Sequence, residues 1–144
     1  MLETRSYGFT YYVSHIESFG KSDINNIDNE SVIGVELNPD GKRKDVLTAS
    51  FDELPAEWTN KFKIIYANTL DHAQDPFKAS KEWNRVVRPG GYIILGNGGT
   101  SQPTQIGCVG NITLEDIRRL FPGDLIYYNK YGNRYEDIII KKSL

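Results

Sequence analysis

Cysteine is almost absent from this 144-residue sequence, with Cys108 the sole example. That excludes a disulfide framework within the chain and makes a reducing, cytoplasmic setting the expectation. No histidine lies near Cys108 in sequence, so it reads as a small packing residue in a loop rather than an activated nucleophile. Histidine is scarce too, limited to His15 and His72, and no metal site is read from the sequence. Excess charge of one sign is also missing. The net charge is -2 and the isoelectric point about 5.7, which leaves no strong electrostatic footprint for nucleic acid or an anionic membrane. No apolar run is long enough to span a bilayer, and Met1-Leu2-Glu3-Thr4-Arg5 does not begin a signal peptide.

What is present fits one folded domain over residues 1–144. Hydrophobic residues at 39% and charged residues at 25% argue against disorder. A chain of this size buries roughly two-thirds of its unfolded surface, enough for a core without staples.

Residues 9–16 are rich in β-formers and predict a strand. Glu17-Ser18-Phe19-Gly20-Lys21 follows as a turn, and residues 21–30 form a short, weak helix at best. Val32-Ile33-Gly34-Val35-Glu36-Leu37 predicts a strand, and Asn38-Pro39-Asp40-Gly41 is a strong turn signal. A short strand over 44–49, a turn over 51–55 and a single helical turn over 56–60 come next. Residues 62–67 predict a buried strand. Asp75 caps the next helix and Pro76 suits its first position, where no amide donor is needed. Ala79, Trp83, Val86 and Val87 recur at helical spacing as one apolar stripe. Arg85 and Arg88 suit the negative pole of that helix. Pro89-Gly90-Gly91 ends it, and residues 92–95 form a short strand.

Residues 96–110 form a long, polar, glycine-rich loop of the kind usually reserved for function. Thr113 and Asp116 form a capping-box pattern for a second helix, with Ile112 and Ile117 at the staple positions. Residues 125–128 and 137–141 predict a closing hairpin. Strands alternating with helices imply a parallel sheet covered on both faces, with one antiparallel strand added at the end.

The unit over residues 62–95, and above all Arg85-Val86-Val87-Arg88-Pro89-Gly90-Gly91, resembles the second half of the S-adenosylmethionine-dependent methyltransferase domain of the type 11-like class. That resemblance implies an α/β fold: a Rossmann-like, doubly wound, mostly parallel sheet with a C-terminal antiparallel hairpin. The few residues between strands two and three leave no room for a helical crossover, which needs roughly a dozen, so the sheet is shortened there. The implied cofactor is S-adenosylmethionine and the implied partner a small-molecule acceptor, with no nucleic acid and no membrane; a homodimer through the sheet edge is left open.

The resemblance also assigns residues. Glu36, with Leu37 beside it, ends strand two where a carboxylate accepts hydrogen bonds from ribose hydroxyls. Ser50 and the Phe51 amide stand where the adenine edge is contacted, and Ser50 replaces an acid common there. Asp52 and Glu53 read as turn residues. Asn68 would face the cofactor's methionine part or the substrate. His72 is the one candidate general base. A loop-orienting histidine is the favoured reading, because methyl transfer often needs no strong base. His15 reads as structural.

The chief departure from the family is a missing glycine-rich loop after strand one. Ser18 and Gly20 are the nearest stand-ins able to offer backbone amides. Two readings follow. The first is a compact methyltransferase. The second is a catalytically degenerate methyltransferase-fold protein that binds a partner and not the cofactor. A dinucleotide-dependent oxidoreductase is a distant third, since it needs its own glycine fingerprint.

Overall fold

The computed structural model of the chain describes residues 10–13, 32–36, 46–68, 70, 73, 75–97, 112–132 and 135–144. Within them the elements run β1 (Thr10–Val13), β2 (Val32–Glu36), β3 (Val46–Thr48), a 3-10 turn (Ala56–Trp58), β4 (Phe62–Ala67), α1 (Pro76–Val86), β5 (Val87–Asn97), α2 (Leu114–Leu120), β6 (Asp124–Tyr131) and β7 (Tyr135–Lys141). The weak helix predicted over 21–30 lies outside the described residues, as does the predicted glycine-rich loop beyond Asn97; its first two residues, Gly96 and Asn97, belong to β5.

Both helices start as their chemistry dictates. The Asp75 carboxylate accepts from the amides of Phe77 and Lys78 at 3.0 and 3.1 Å, with Pro76 next in line. Thr113 and Asp116 close a reciprocal capping box at α2, and the proposed staple residues Ile112 and Ile117 are both buried. The end of α1 differs from the prediction. The helix stops at Val86, Val87 is already extended, and Arg88-Pro89-Gly90-Gly91 belongs to an eleven-residue β5. Tertiary pairing explains this, because the Gly90 amide donates to the Lys142 carbonyl and the Lys142 amide to the Gly91 carbonyl, at 3.0 and 2.8 Å. A side chain at Gly91 would lie 2.7 Å from the Lys63 carbonyl, so only glycine fits. The pole of α1 is met by Lys142 instead of Arg88: the Lys142 ammonium donates to the carbonyls of Asn84 and Val87. Its desolvation there pushes the amine's pKa down.

The seven strands form one sheet in the order β3-β2-β1-β4-β5-β7-β6. β2 pairs parallel with β3, and β4 with β5; β7 runs antiparallel to β5 and β6. β1 runs antiparallel to both of its neighbours, β2 and β4. Five of the seven described strands (β2 to β6) therefore point one way, but only two of the six pairings are parallel: the sheet is mixed, with β1 reversed and a C-terminal antiparallel hairpin.

Strand alternation separates two faces. Ile65, Ile93 and Ile138 are completely buried, and they join Trp83, Val86, Ile117 and Phe121 in one core. Trp83 stacks on Phe121 with centroids 6.0 Å apart. Both described α-helices lie on this face. The residues that alternate with the buried ones include Tyr66, 37% exposed, and Ile94 and Ile139, half-buried.

Candidate functional site at the carboxyl edge of the sheet

Cross-strand partners define one row across the sheet: Val35, Thr10, Ala67, Leu95 and Ile138. One step further along lie Glu36, Asn68, Gly96 and Asp137, with Glu36 paired to Thr48 of β3 and Gly96 to Asp137. The carboxyl ends of β2, β3, β4 and β5 thus converge on one edge. In open α/β sheets this edge is where ligands bind, because backbone amides and loop side chains point out of the strand ends.

The loop leaving β3 is fixed by α1. The Glu53 amide closes a turn on the Ser50 carbonyl at 3.1 Å. Trp83 Nε1 donates to the Phe51 carbonyl at 3.0 Å, and the two rings lie 5.8 Å apart. Glu82 accepts from the Leu54 amide at 2.8 Å. Arg85 donates to the carbonyls of Leu54, Pro55 and Ala56 and to the Thr59 hydroxyl, and forms a 2.8 Å ion pair with Glu82. A planar guanidinium serves this array because its donors lie in a fixed fork. The hydrogen bond from Arg85 holds the Glu82 carboxyl below its ordinary range. Arg85 therefore braces the loop, a role its sequence position as a helix-end cation did not show.

Within that loop the Ser50 hydroxyl donates to the Asp52 carboxylate. Asp52, expected to be a plain turn residue, thus brings an acid back to the position where Ser50 replaces one. The Phe51 amide has no acceptor among the described residues.

At the other end of the edge, Asn97 is buried and donates to the Ile112 carbonyl and to Glu136, at 2.8 and 3.2 Å. Glu136 also accepts from the Tyr128 hydroxyl at 2.9 Å, which pushes that phenol's pKa up. Across the sheet, Tyr135 lays its hydroxyl over Gly96. A Cβ at Gly96 would stand 2.4 Å from Tyr135 Oη and 3.4 Å from Asn68 Cβ. Burial, reinforced by Tyr66 and Asp137, raises the Tyr135 pKa. Neither Asp52 nor Tyr135 carries a sequence signal by itself, since one depends on a turn and the other on hairpin register.

The sequence-assigned residues fall into three groups. Ser50, Phe51 and Asn68 lie at this edge, and Asn68 is exposed there. Glu36 ends β2 at the same edge. Ser18, Gly20, Leu37 and His72 lie outside the described residues. The direction of β1 bears on the first two of these. Val13 pairs with Val32 and Ile64, the amino-terminal side of β2 and β4, so the chain leaves β1 at the opposite edge from Glu36.

Comparison with known proteins agrees with this architecture. A sequence model of the family described as methyltransferase domain matches residues 8–95. A search of curated proteins finds no match. Among solved structures, the Burkholderia thailandensis 1,6-didemethyltoxoflavin-N1-methyltransferase, with bound 1,6-didemethyltoxoflavin and S-adenosylhomocysteine, superposes with a TM-score of 0.59 at 13% identity, covering 76% of this chain and 60% of that one. A Methanosarcina mazei S-adenosylmethionine-dependent methyltransferase gives 0.57 at 17%, covering 72% and 69%. The [4+2]-cyclase SpnF gives 0.56 at 15%, covering 69% and 56%. The chain thus spans about half to two-thirds of these neighbours, and likeness at such identities speaks to fold alone. By its fold and its family match over residues 8–95, the chain belongs to the S-adenosylmethionine-dependent methyltransferase superfamily.

Proposed function

We propose that the chain binds S-adenosylmethionine along the carboxyl edge and transfers its methyl group to a small-molecule acceptor. The observation that carries this reading is the register that sets Glu36, Thr48, Asn68 and Gly96 along one edge. The residues there fit an adenosyl ligand. Glu36 supplies a carboxylate suited to a pair of ribose hydroxyls. The Phe51 amide offers a donor to an adenine ring nitrogen, and Asp52 an acceptor for the exocyclic amine. Trp83, Glu82 and Arg85 hold that loop in place without touching the ligand. Asn68 stands next, where the donor and the acceptor would meet. S-adenosylmethionine brings an already activated methyl group, so the protein's share is to hold donor and acceptor in line. His72 is kept in this proposal as a base for acceptors that must lose a proton.

A second reading has its own support. β1 runs against its neighbours, so the chain leaves it at the edge opposite Glu36, and the sequence there lacks the family's glycine-rich loop. That favours a domain which keeps the fold and has lost the ligand. Thermal shift with S-adenosylhomocysteine separates the two. Ligand at about 100 times its dissociation constant should add about 2.7 kcal/mol of stability, and Glu36→Ala or Asp52→Ala should remove most of the shift. No shift at millimolar ligand would sink the methyltransferase reading.

A further inference from the structure

Tyr66, Tyr131, Tyr135 and Asp137 gather on the sheet face that α1 and α2 leave uncovered. Strand pairing puts them there: Tyr131 opposes Tyr135, Asp137 opposes both Gly96 and Asn129, and Tyr66 lies on β4 across from Ile94. The Tyr131 and Tyr135 rings are 6.1 Å apart at 44°. Tyr66, Tyr131 and Tyr135 are each more than a third exposed. Burial first, and then the neighbouring Tyr66 and Asp137, push the Tyr135 phenol's pKa up. Among the described residues no cation lies within ion-pair distance of Asp137.

We propose that Tyr66, Tyr131, Tyr135 and Asp137 form a subsite for an alkylammonium group carried by the small-molecule acceptor. An unbalanced carboxylate repels anions and attracts cations, and tyrosine ring faces add cation–π attraction within about 6 Å of their centroids. A neutral hydroxyl would use neither. Gly96 is part of the device, since its missing side chain lets Tyr135 cross the end of β5 beside Asn68. The subsite holds the ammonium, and no bond change is assigned to it. Its role as an acceptor site rests on the methyltransferase reading, whereas binding itself does not.

The test titrates the protein with n-butylammonium and with n-butanol, following tyrosine ring resonances by NMR, with and without S-adenosylhomocysteine. The amine should shift the rings of Tyr66, Tyr131 and Tyr135, and bind at least about tenfold tighter than the alcohol. Asp137→Asn should weaken the amine by about tenfold or more, and Tyr135→Leu by about threefold. Gly96→Ala leaves Asp137 intact and displaces the Tyr135 hydroxyl, so it should also weaken amine binding and serves if Asp137→Asn fails to fold. Equal affinity for amine and alcohol, or wild-type amine binding by the variants, overturns the subsite. Amine binding without any response to S-adenosylhomocysteine would sustain the subsite and reject the methyltransferase reading.

Discussion

The two sides of this sheet are built by different means. The side running from β4 through α1 to β5 is held at every level. Its strands pair at five positions, Phe62 and the four residues Ile64 to Ala67, its helix buries Trp83 and Val86 completely, and its helix end is bound by Lys142. The side running from β1 to β3 rests on strands of four, five and three residues, and β1 points the opposite way from β2 and β4. The two sides meet twice: β1 pairs with β4 along the strand, and α1 grips the loop after β3 through Glu82, Trp83 and Arg85. The comparison shows that, among the described residues, the two sides rest on different supports. Among the described residues the α-helices pack on the side that carries β4 and β5, and both sides send strand ends to the carboxyl edge.

The all-or-none test of that comparison is a cross-link. In a Cys108→Ser background, Thr10→Cys with Val35→Cys should form a disulfide on mild oxidation, and Thr10→Cys with Val32→Cys should not. Directly opposed antiparallel residues have Cα atoms roughly 4.5–5.5 Å apart, within disulfide range, whereas three strand residues further on is about 10 Å. The reverse pattern, read by mass spectrometry, would return β1 to a parallel course.

The next largest effect is expected at Trp83. Trp83→Ala removes a fully buried ring and the bond to the Phe51 carbonyl, and should cost about 3–5 kcal/mol in urea unfolding. It should also speed amide exchange across residues 50–54, because the loop loses its anchor. Global destabilisation with no added loss in that loop would break the link between the two sides.

The smallest is a pH effect. Arg85 lowers the Glu82 pKa in the folded chain below its ordinary value of 4.5. A carboxyl depressed by folding contributes stability that is present above its unfolded pKa and lost as pH falls through the folded one. Stability should therefore decline from about pH 4.5 downward, and Glu82→Gln should lower stability at neutral pH while flattening that acid limb. An acid limb of unchanged slope in the variant would assign it to other carboxylates.

Much of the fold was legible because its signals are local. Asp75-Pro76 and Thr113 with Asp116 name the two helix starts, since a cap satisfies amides two or three residues away. β4 matched its predicted bounds because a run of apolar residues between turns has one use. The length of β5 was missed, because whether Arg88-Pro89-Gly90-Gly91 is a turn or a strand depends on Lys142, far along the chain. The same distance problem hid the site's supports. Arg85 reads as a helix-end cation until the loop carbonyls arrive, and Tyr135, expected in the connection between the hairpin strands, starts β7 and lies over Gly96.

The sequence by itself determined the alternation of elements, the helix caps, the hairpin and the family, and it named Glu36, Ser50, Phe51 and Asn68 as edge residues. Only the tertiary structure decided the direction of β1, the return of Asp52 to Ser50, and the tyrosine cluster around Asp137. The physical reason is symmetry. An alternating apolar pattern reads the same in both directions along a strand, so burial alone fixes that a segment joins the sheet. Which way it runs, and which side chains then meet, is settled by the strands on either side.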